Sequence, residues 1–202
     1  MKNLVIVSFI IMAVVMASCG KKVNHAVVQD SATVFNHFIT ATIHPIGSDE
    51  EIFSDKENGF SYKGGKLLIE AEGYIPTITK SADSVYWLYP ASLHELMVGP
   101  SDFLLPQYSA YYWNAKVIDR DGNPVDSARI VITNMRDFST VTNSNGTFLF
   151  RFPIVPVEDI LFRAEGKEKT KVVVIKRGYK TACINFVLPL EDNPAEIMIK
   201  KI

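Results

Sequence analysis

Histidines are the first residues to test for chemistry, because imidazole serves both as a general base and as a metal ligand. The 202-residue chain has four of them, His25, His37, His44 and His94. None lies in a Gly-x-Ser-x-Gly elbow, and neither His-Glu-x-x-His nor Cys-x-x-Cys occurs. His37 and His44 flank a predicted strand on opposite faces, which does not make a metal pair. We therefore expect surface or turn histidines, no catalytic residue, no metal site, no cofactor and no enzyme.

Clustered side-chain oxygens offer a second kind of chemistry, calcium binding. They occur in the segment Asp119-Arg120-Asp121-Gly122-Asn123 and at Asp55, Glu57 and Asn58. Calcium takes about six to eight oxygen ligands, and the EF-hand pattern with its distal Glu is absent. Asp and Asn also form turns through their own side chains. Turn formation is the preferred interpretation, and structural calcium is the alternative.

Aromatic residues cluster in two segments and could stack on a sugar or a partner. Trp87 and Tyr89 belong to the first cluster, and Tyr112 and Trp113 belong to the second. We predict these four as candidate ligand-binding residues. Adjacent aromatics in a strand point to opposite faces, so about half should pack in the core whatever the function. Alternatively, Trp87 and Trp113 fasten two domains together.

Three serines follow an Asp and precede an apolar residue. These are Ser31, Ser84 and Ser127, and their context resembles the Asp-Ser/Thr-apolar acceptor that some bacteria O-glycosylate on envelope proteins. They are candidate O-glycosylation sites, and Ser127 lies beside a predicted turn, where a glycan would be accessible.

The N-terminus has the organisation of an export signal. A short positive start precedes Leu4–Ala17, a 14-residue apolar run. This run fits a signal-peptide core better than a transmembrane helix, which needs about 20 residues. It ends in Met16-Ala17-Ser18-Cys19-Gly20, which resembles the lipobox of bacterial lipoproteins, with Met16 where Leu is usual. The alternatives are an ordinary secretory signal cut near Ser18 and an uncleaved anchor.

The lipoprotein resemblance implies a location and an anchor. Residues 1–18 would be removed as a signal peptide, and Cys19 would be lipidated and become the new N-terminus. Gly20, where a retained lipoprotein has Asp, favours the outer membrane, facing the periplasm. Lipidation would leave Cys183 as the only thiol, so the fold must be stable without an internal disulfide. We predict Cys183 as a buried structural thiol in a strand.

Composition excludes two further classes. The 21 Lys and Arg residues nearly balance the 22 Asp and Glu residues, for a formal net charge of −1, which gives no reason to expect a nucleic-acid partner. The hydrophobic content of 48% argues against a largely disordered chain.

Short segments rich in Val, Ile, Thr, Phe and Tyr alternate with Gly, Asn, Asp and Pro, which is typical of an all-β domain. Their spacing of about 8–12 residues favours a sandwich or barrel. Asn58-Gly59 and Asn145-Gly146 can supply the positive φ angles of tight hairpins. The predicted strands are Phe38–Ile43, Leu67–Ala71, Ser84–Tyr89, Ala115–Ile118, Ala128–Thr133, Thr147–Phe152, Ile160–Ala164, Lys171–Lys176 and a strand within Thr181–Leu188.

Residues 113–202 resemble a carboxypeptidase regulatory-like domain. Ala115–Ile130 has the opening strand, the Asp, the Gly-x-Pro turn and the second strand of that family. Thr142–Phe150 supplies a hairpin ending in Gly-x-Phe, and Val172–Thr181 supplies a strand leading into Gly-Tyr-Lys-Thr. The resemblance implies a transthyretin-like β-sandwich. It implies no peptidase, because these domains do not themselves hold the zinc site of the carboxypeptidases they accompany.

A fainter copy precedes this domain. Ala26–Asp30 resembles Ala115–Asp119, and Ser54–Tyr62 resembles Thr142–Phe150. The copy lacks the Gly-x-Pro turn. We predict a signal peptide at 1–18, a degenerate sandwich at 19–90, an ordered linker at 91–112 and the second sandwich at 113–202. The alternative is one sandwich with an irregular N-terminal extension.

These observations together predict a non-enzymatic lipoprotein, tethered to the membrane through Cys19, that acts as an interaction or spacer module of the envelope. Its expected partner is an envelope protein or a glycan. The alternative is a carbohydrate-binding accessory lipoprotein of a nutrient-uptake system.

Overall fold

The structure is a computed structural model that describes residues 24–32, 37–79, 84–91, 110–135, 139–153, 170–187 and 190–202. Its regular elements are almost all β-strands that pack as sandwiched sheets, so the predicted all-β fold class is confirmed. We call residues 24–91 the N-terminal half and residues 110–202 the C-terminal half. The N-terminal strands are β1 (Asn24–Asp30), β2 (Ala41–Pro45), β3 (Ile52–Ser54), β4 (Phe60–Tyr62), β5 (Leu67–Glu70), β6 (Thr77–Ile78) and β7 (Val85–Leu88).

The C-terminal half begins with the long strand β8 and includes one short 3-10 helix, Leu190–Asp192. Its strands are β8 (Ala110–Ile118), β9 (Arg129–Ile132), β10 (Ser139–Val141), β11 (Thr147–Pro153), β12 (Lys171–Ile175), β13 (Tyr179–Lys180), β14 (Ala182–Asn185), β15 (Glu196–Met198) and β16 (Lys200–Lys201).

Two sheets pack around a core in the N-terminal half. Strand β1 is the centre of the first sheet, antiparallel to β4 and parallel to β7. The second sheet has the order β3-β2-β5-β6 and is antiparallel throughout. Because side chains alternate along a strand, every second residue faces the space between the sheets. The buried core there contains Ala26, Val28, Ile39, Ala41, Ile43, Phe60, Tyr62, Leu67, Ile69, Tyr86 and Leu88.

The C-terminal half has the same strand order around a larger core. Strand β8 is antiparallel to β11 and parallel to β15, and the facing sheet has the order β10-β9-β12-β14. Strands β13 and β16 form a small separate ladder. The aromatic centre of this core consists of Trp113, Phe148, Phe150, Phe152 and Phe186.

Two glycines close equivalent hairpins against the central strands. Gly59 and Gly146 both have positive φ, 62° and 73°. A Cβ on Gly59 would collide with the carbonyl oxygen of Ala26, and one on Gly146 would collide with that of Val117. Glycine is required at both positions, because the hairpin lies directly against the backbone of β1 or β8.

The strands differ from the sequence prediction in several places, since β1, β3, β4, β6, β10, β13, β15 and β16 are not among the predicted strands. The predicted strand Phe38–Ile43 is split, since Phe38 bridges Gln29 of β1 and only Ala41–Pro45 pairs as β2. The chain crosses here from one sheet to the other. Strand β8 begins at Ala110, so it includes residues 110–112 of the predicted linker. Residues 1–23, the predicted strand Ile160–Ala164 and linker residues 92–109 lie outside the described residues.

Among the residues described, no helix is long and apolar enough to cross a membrane.

Candidate functional site

The two halves meet through the outer faces of their four-stranded sheets. Because Leu67 and Ile69 point into the N-terminal core, Leu68 between them points out of that core. By the same alternation, Val173 of β12 points away from the C-terminal core. Leu68 and Val173 are fully buried and belong to the same apolar cluster, together with Ile78. Three partly buried residues pack against this cluster: Ile46, Ile175 and Cys183.

Backbone hydrogen bonds also cross between the halves. The Gly47 amide donates to the Thr181 carbonyl at 2.8 Å, and the Thr181 amide donates to the Ser48 carbonyl at 2.7 Å. A third bond runs from the Asn134 amide to the Pro76 carbonyl at 3.0 Å. These bonds fix the register of one sheet on the other, which an apolar contact alone does not do because it is non-directional.

The most concentrated chemistry of the described residues lies beside this apolar cluster, at Glu70. Arg129 of the C-terminal half donates two hydrogen bonds to it, at 2.9 Å to Oε2 and 2.6 Å to Oε1. His44, from the same half as Glu70, places Nε2 at 3.4 Å from Oε2. The Glu70 side chain is only 13% exposed and the His44 side chain 6%. Such a two-pronged pair is strong and directional.

The environment of Glu70 determines its ionisation. Burial raises the pKa of this carboxyl, but hydrogen bonds and charge from His44 and Arg129 oppose burial and leave the pKa below its usual value. Glu70 is therefore ionised at neutral pH, with both oxygens already engaged. A general base needs a free oxygen and a pKa near the working pH, so the arrangement fits positioning better than proton transfer.

A groove lies beside this ion pair and is lined by Glu70 and Arg129 among others. It has a volume of about 460 Å³, and both halves contribute to its lining. Thr42, His44, Glu51, Glu70, Ala71 and Glu72 line it from the N-terminal half, and Arg129 and Ile175 line it from the C-terminal half. A second groove of about 510 Å³ shares Thr42, Glu70, Ala71 and Glu72 and continues to Lys56 and Tyr74.

No group of three or more His, Cys, Asp or Glu side chains in the described part of the chain is arranged to hold a metal ion. The oxygen-rich turns use their carboxylates internally. Asp119 Oδ1 accepts the backbone N–H groups of Asp121 and Asn123, both at 2.9 Å. Asp55 Oδ1 accepts those of Glu57 and Asn58 in the same way. The hydrogen bond from the nearby backbone is the main cause that lowers the pKa of each carboxyl.

Sequence reasoning missed this junction. His44 was expected at the surface or in a turn, but it is buried in β2, and Glu70 and Arg129 were not singled out. A usable signal was the alternation in Leu67–Glu70, where Leu68 is apolar on the face expected to meet solvent. His25 and His37 are exposed, as expected of surface histidines.

The four aromatic candidates are separated by the structure. Trp113 is 4% exposed in the C-terminal core, stacks on Phe150 with ring centres 6.0 Å apart, and donates from Nε1 to the Pro194 carbonyl. Its prediction as a ligand-binding residue is corrected, because its ring is covered by the core. Trp113 does not fasten the halves either, since it lies in the core of one of them.

The other three aromatics lie outside the cores. Trp87 is 45% exposed on the outer face of β7, and Tyr89 is half-buried. Tyr112 is 58% exposed on the outer face of β8, beside Arg151 of β11. Both outer faces point away from the contact between the halves, so Trp87 and Tyr112 do not form one platform.

The serine candidates also differ in accessibility. Ser84 and Ser127 are exposed. The hydroxyl of Ser31 is buried, which argues against its prediction as an O-glycosylation site. Cys183 lies in β14, as predicted, but it is half-buried rather than buried. Cys19, the predicted lipidation site, lies outside the described residues.

No family model matches the chain, and no curated protein matches it. Among solved structures, the Streptococcal ancillary pilin aligns with 90% of this chain at 7% identity and a TM-score of 0.29. The Bacillus anthracis TIE protein aligns with 89% of it at 10% identity and a TM-score of 0.25. The chain spans 62% and 34% of those two proteins. Similarity at this level carries no argument about the function of this protein.

Proposed function

We propose that the protein is a lipoprotein of the cell envelope, anchored through Cys19, that acts as a non-enzymatic spacer or interaction module. The membrane proposed is the outer membrane, on its periplasmic side. The mature chain would then comprise two transthyretin-like sandwiches in tandem, a degenerate one at 19–90 and a carboxypeptidase regulatory-like one at 113–202.

One observation carries the spacer function, namely the way the two halves are joined. An apolar cluster, three backbone hydrogen bonds and the Arg129–Glu70 ion pair all connect them. A flexible tether needs none of these contacts. A chain that holds its halves at a fixed angle can set the distance between a membrane and a partner.

The shared strand order supports the tandem arrangement. In each half the first strand is antiparallel to the fourth and parallel to the last strand of its sheet. A missing contact supports the degeneracy of the first copy. Thr142 Oγ1 accepts from the Ala128 amide and donates to the Val125 carbonyl, both in the opening hairpin of the C-terminal half. The buried hydroxyl of Ser54, which corresponds to Thr142, has no partner among described residues.

A pull-down from the native envelope in mild detergent, analysed by mass spectrometry, tests the proposal. We expect a near-stoichiometric membrane partner with the lipidated protein and its loss with Cys19→Ala. Cys183→Ala is the matched control, because it removes a thiol and leaves the anchor. The interaction function is contradicted if no protein exceeds the level found with Cys19→Ala.

Carbohydrate binding is the second candidate, and one surface favours it. The outer face of β8 and β11 presents the exposed ring of Tyr112 together with Asn114, Leu149 and Arg151. An exposed ring beside amide and guanidinium donors can stack on a sugar and bind its hydroxyls. Affinity electrophoresis in polysaccharide gels should show retardation that Tyr112→Ala abolishes and Trp87→Ala does not. Equal mobility with and without polysaccharide would exclude the polysaccharides tested.

A further inference from the structure

The connections between the halves differ in position along β2. The centre is apolar, where His44 pairs with Leu68 and Leu68 enters the cluster with Val173. The Glu70 ion pair lies at one end, because Thr42 pairs with Glu70. The bonds that join Gly47 and Ser48 to Thr181 lie at the opposite end, beyond Pro45. Two residues of strand are about 7 Å, so the ion pair and the bonds to Thr181 lie off-centre and can resist rotation about the apolar cluster.

We propose that Glu70 is a conformational lock that fixes the angle between the two halves. The cluster of Leu68, Ile78 and Val173 acts as the pivot, because apolar packing holds surfaces together without fixing their orientation. The ion pair supplies the orientation. When it is removed, the halves rock on the pivot and the backbone bonds at the far end open.

The chemistry of Glu70 suits this role. One partner, His44, belongs to the same half as Glu70 and places its Nε2 3.4 Å from Oε2. The other partner, Arg129, belongs to the opposite half and binds both oxygens with its planar fork. Fork-on-carboxylate geometry fixes direction as well as distance, which a Lys ammonium cannot do. The carboxylate is thus held by one residue from each half.

Amide hydrogen exchange tests the lock, because the amides of Gly47, Thr181 and Asn134 donate across the junction and exchange when it opens. In Glu70→Gln we expect these three amides to exchange roughly tenfold faster. The amides of Val125 and Ile75 bond within their own halves and should keep the wild-type rate. Arg129→Lys keeps the charge, loses the fork and should show the same pattern more weakly.

Glu72→Gln is the matched control, because Glu72 lines the same groove, is exposed, and belongs to the same segment. It should leave all five amides unchanged. The proposal is overturned if the amides of Gly47, Thr181 and Asn134 keep the wild-type exchange rate in both Glu70→Gln and Arg129→Lys. It is also overturned if Glu72→Gln accelerates their exchange equally, or if all five amides exchange faster together in both Glu70→Gln and Arg129→Lys. The lock is tested by amide exchange rates, whereas the proposed spacer function is tested by the pull-down. Either proposal can therefore fail without the other.

Discussion

Some backbone positions in this protein require glycine, which the pattern of apolar and polar side chains does not indicate. Gly146 has φ of 73°, and a Cβ there would approach the carbonyl oxygen of Val117 to 2.5 Å. We expect Gly146→Ala to lower the free energy of unfolding by about 2–4 kcal/mol, through left-handed strain plus the collision. Gly122→Ala isolates the strain, because that position has φ of 81° and open space around it. Urea denaturation measures both, and equal losses would show that the collision costs nothing.

A pair of hydroxyls provides a second prediction at the residue scale. Thr142 Oγ1 accepts from the Ala128 amide at 2.8 Å and donates to the Val125 carbonyl at 2.7 Å. Thr142→Val leaves both buried backbone groups unpaired and should cost about 1–3 kcal/mol. Ser54→Ala removes a buried hydroxyl that has no partner among the residues described and should be neutral or stabilising. Thermal unfolding of the two variants compares them, and a large loss in Ser54→Ala would reveal a partner for that hydroxyl.

Strand pairing brings Glu70 to the junction, and it makes the stability of the protein depend on pH in a defined direction. The pKa of Glu70 is lowered on folding, so its ionised form stabilises the folded state above its unfolded pKa, near 4.5. That contribution is lost as the pH falls through the lower folded pKa. The groups that face Glu70 are His44 and Arg129, and Glu51 and Glu72 line the same groove.

We therefore expect the difference in unfolding free energy between the wild type and Glu70→Gln to shrink as the pH falls below about 5. Urea denaturation of both proteins over a pH series measures this difference. Taking the difference removes the acid sensitivity of Asp55 and Asp119, whose pKa values are also lowered. A difference that stays constant to the lowest accessible pH would show that Glu70 gains nothing from its partners.

Eight of the sixteen described strands were accessible from the sequence, whereas the other eight and the sheet-on-sheet contact were not. Lys171–Ile175 and Thr147–Pro153 were predicted to within a residue, because β-branched and aromatic runs between turn residues specify strands locally. The Arg129–Glu70 pair joins residues 59 positions apart. This ion pair forms only because the outer faces of two particular sheets meet. A sequence pattern indicates which residues form a strand, but it does not indicate which sheet packs against that strand. Trp113 was misjudged for the same reason, since only the register decides which of two adjacent aromatics enters the core.

At the scale of the whole molecule, the junction determines whether the halves unfold together. Each half has its own core, but Leu68 and Val173 are fully buried only where the halves touch. Opening the junction would expose these side chains and break the Glu70 ion pair. The halves should therefore stabilise each other, and we expect calorimetry of the wild type to show one transition whose calorimetric and van't Hoff enthalpies agree.

Leu68→Asn should uncouple the halves, because it places an unpaired amide in the apolar cluster and deletes the side chain at the pivot. We expect two calorimetric transitions, the first about 2–4 kcal/mol less stable than the wild type. Leu149→Asn is the control, since Leu149 is 54% exposed on an outer face and should leave a single transition. If Leu68→Asn lowers the melting temperature but still shows one two-state transition, the halves form a single folding unit. Two transitions in the wild type would instead mean that the junction orients two independently stable halves without coupling their unfolding.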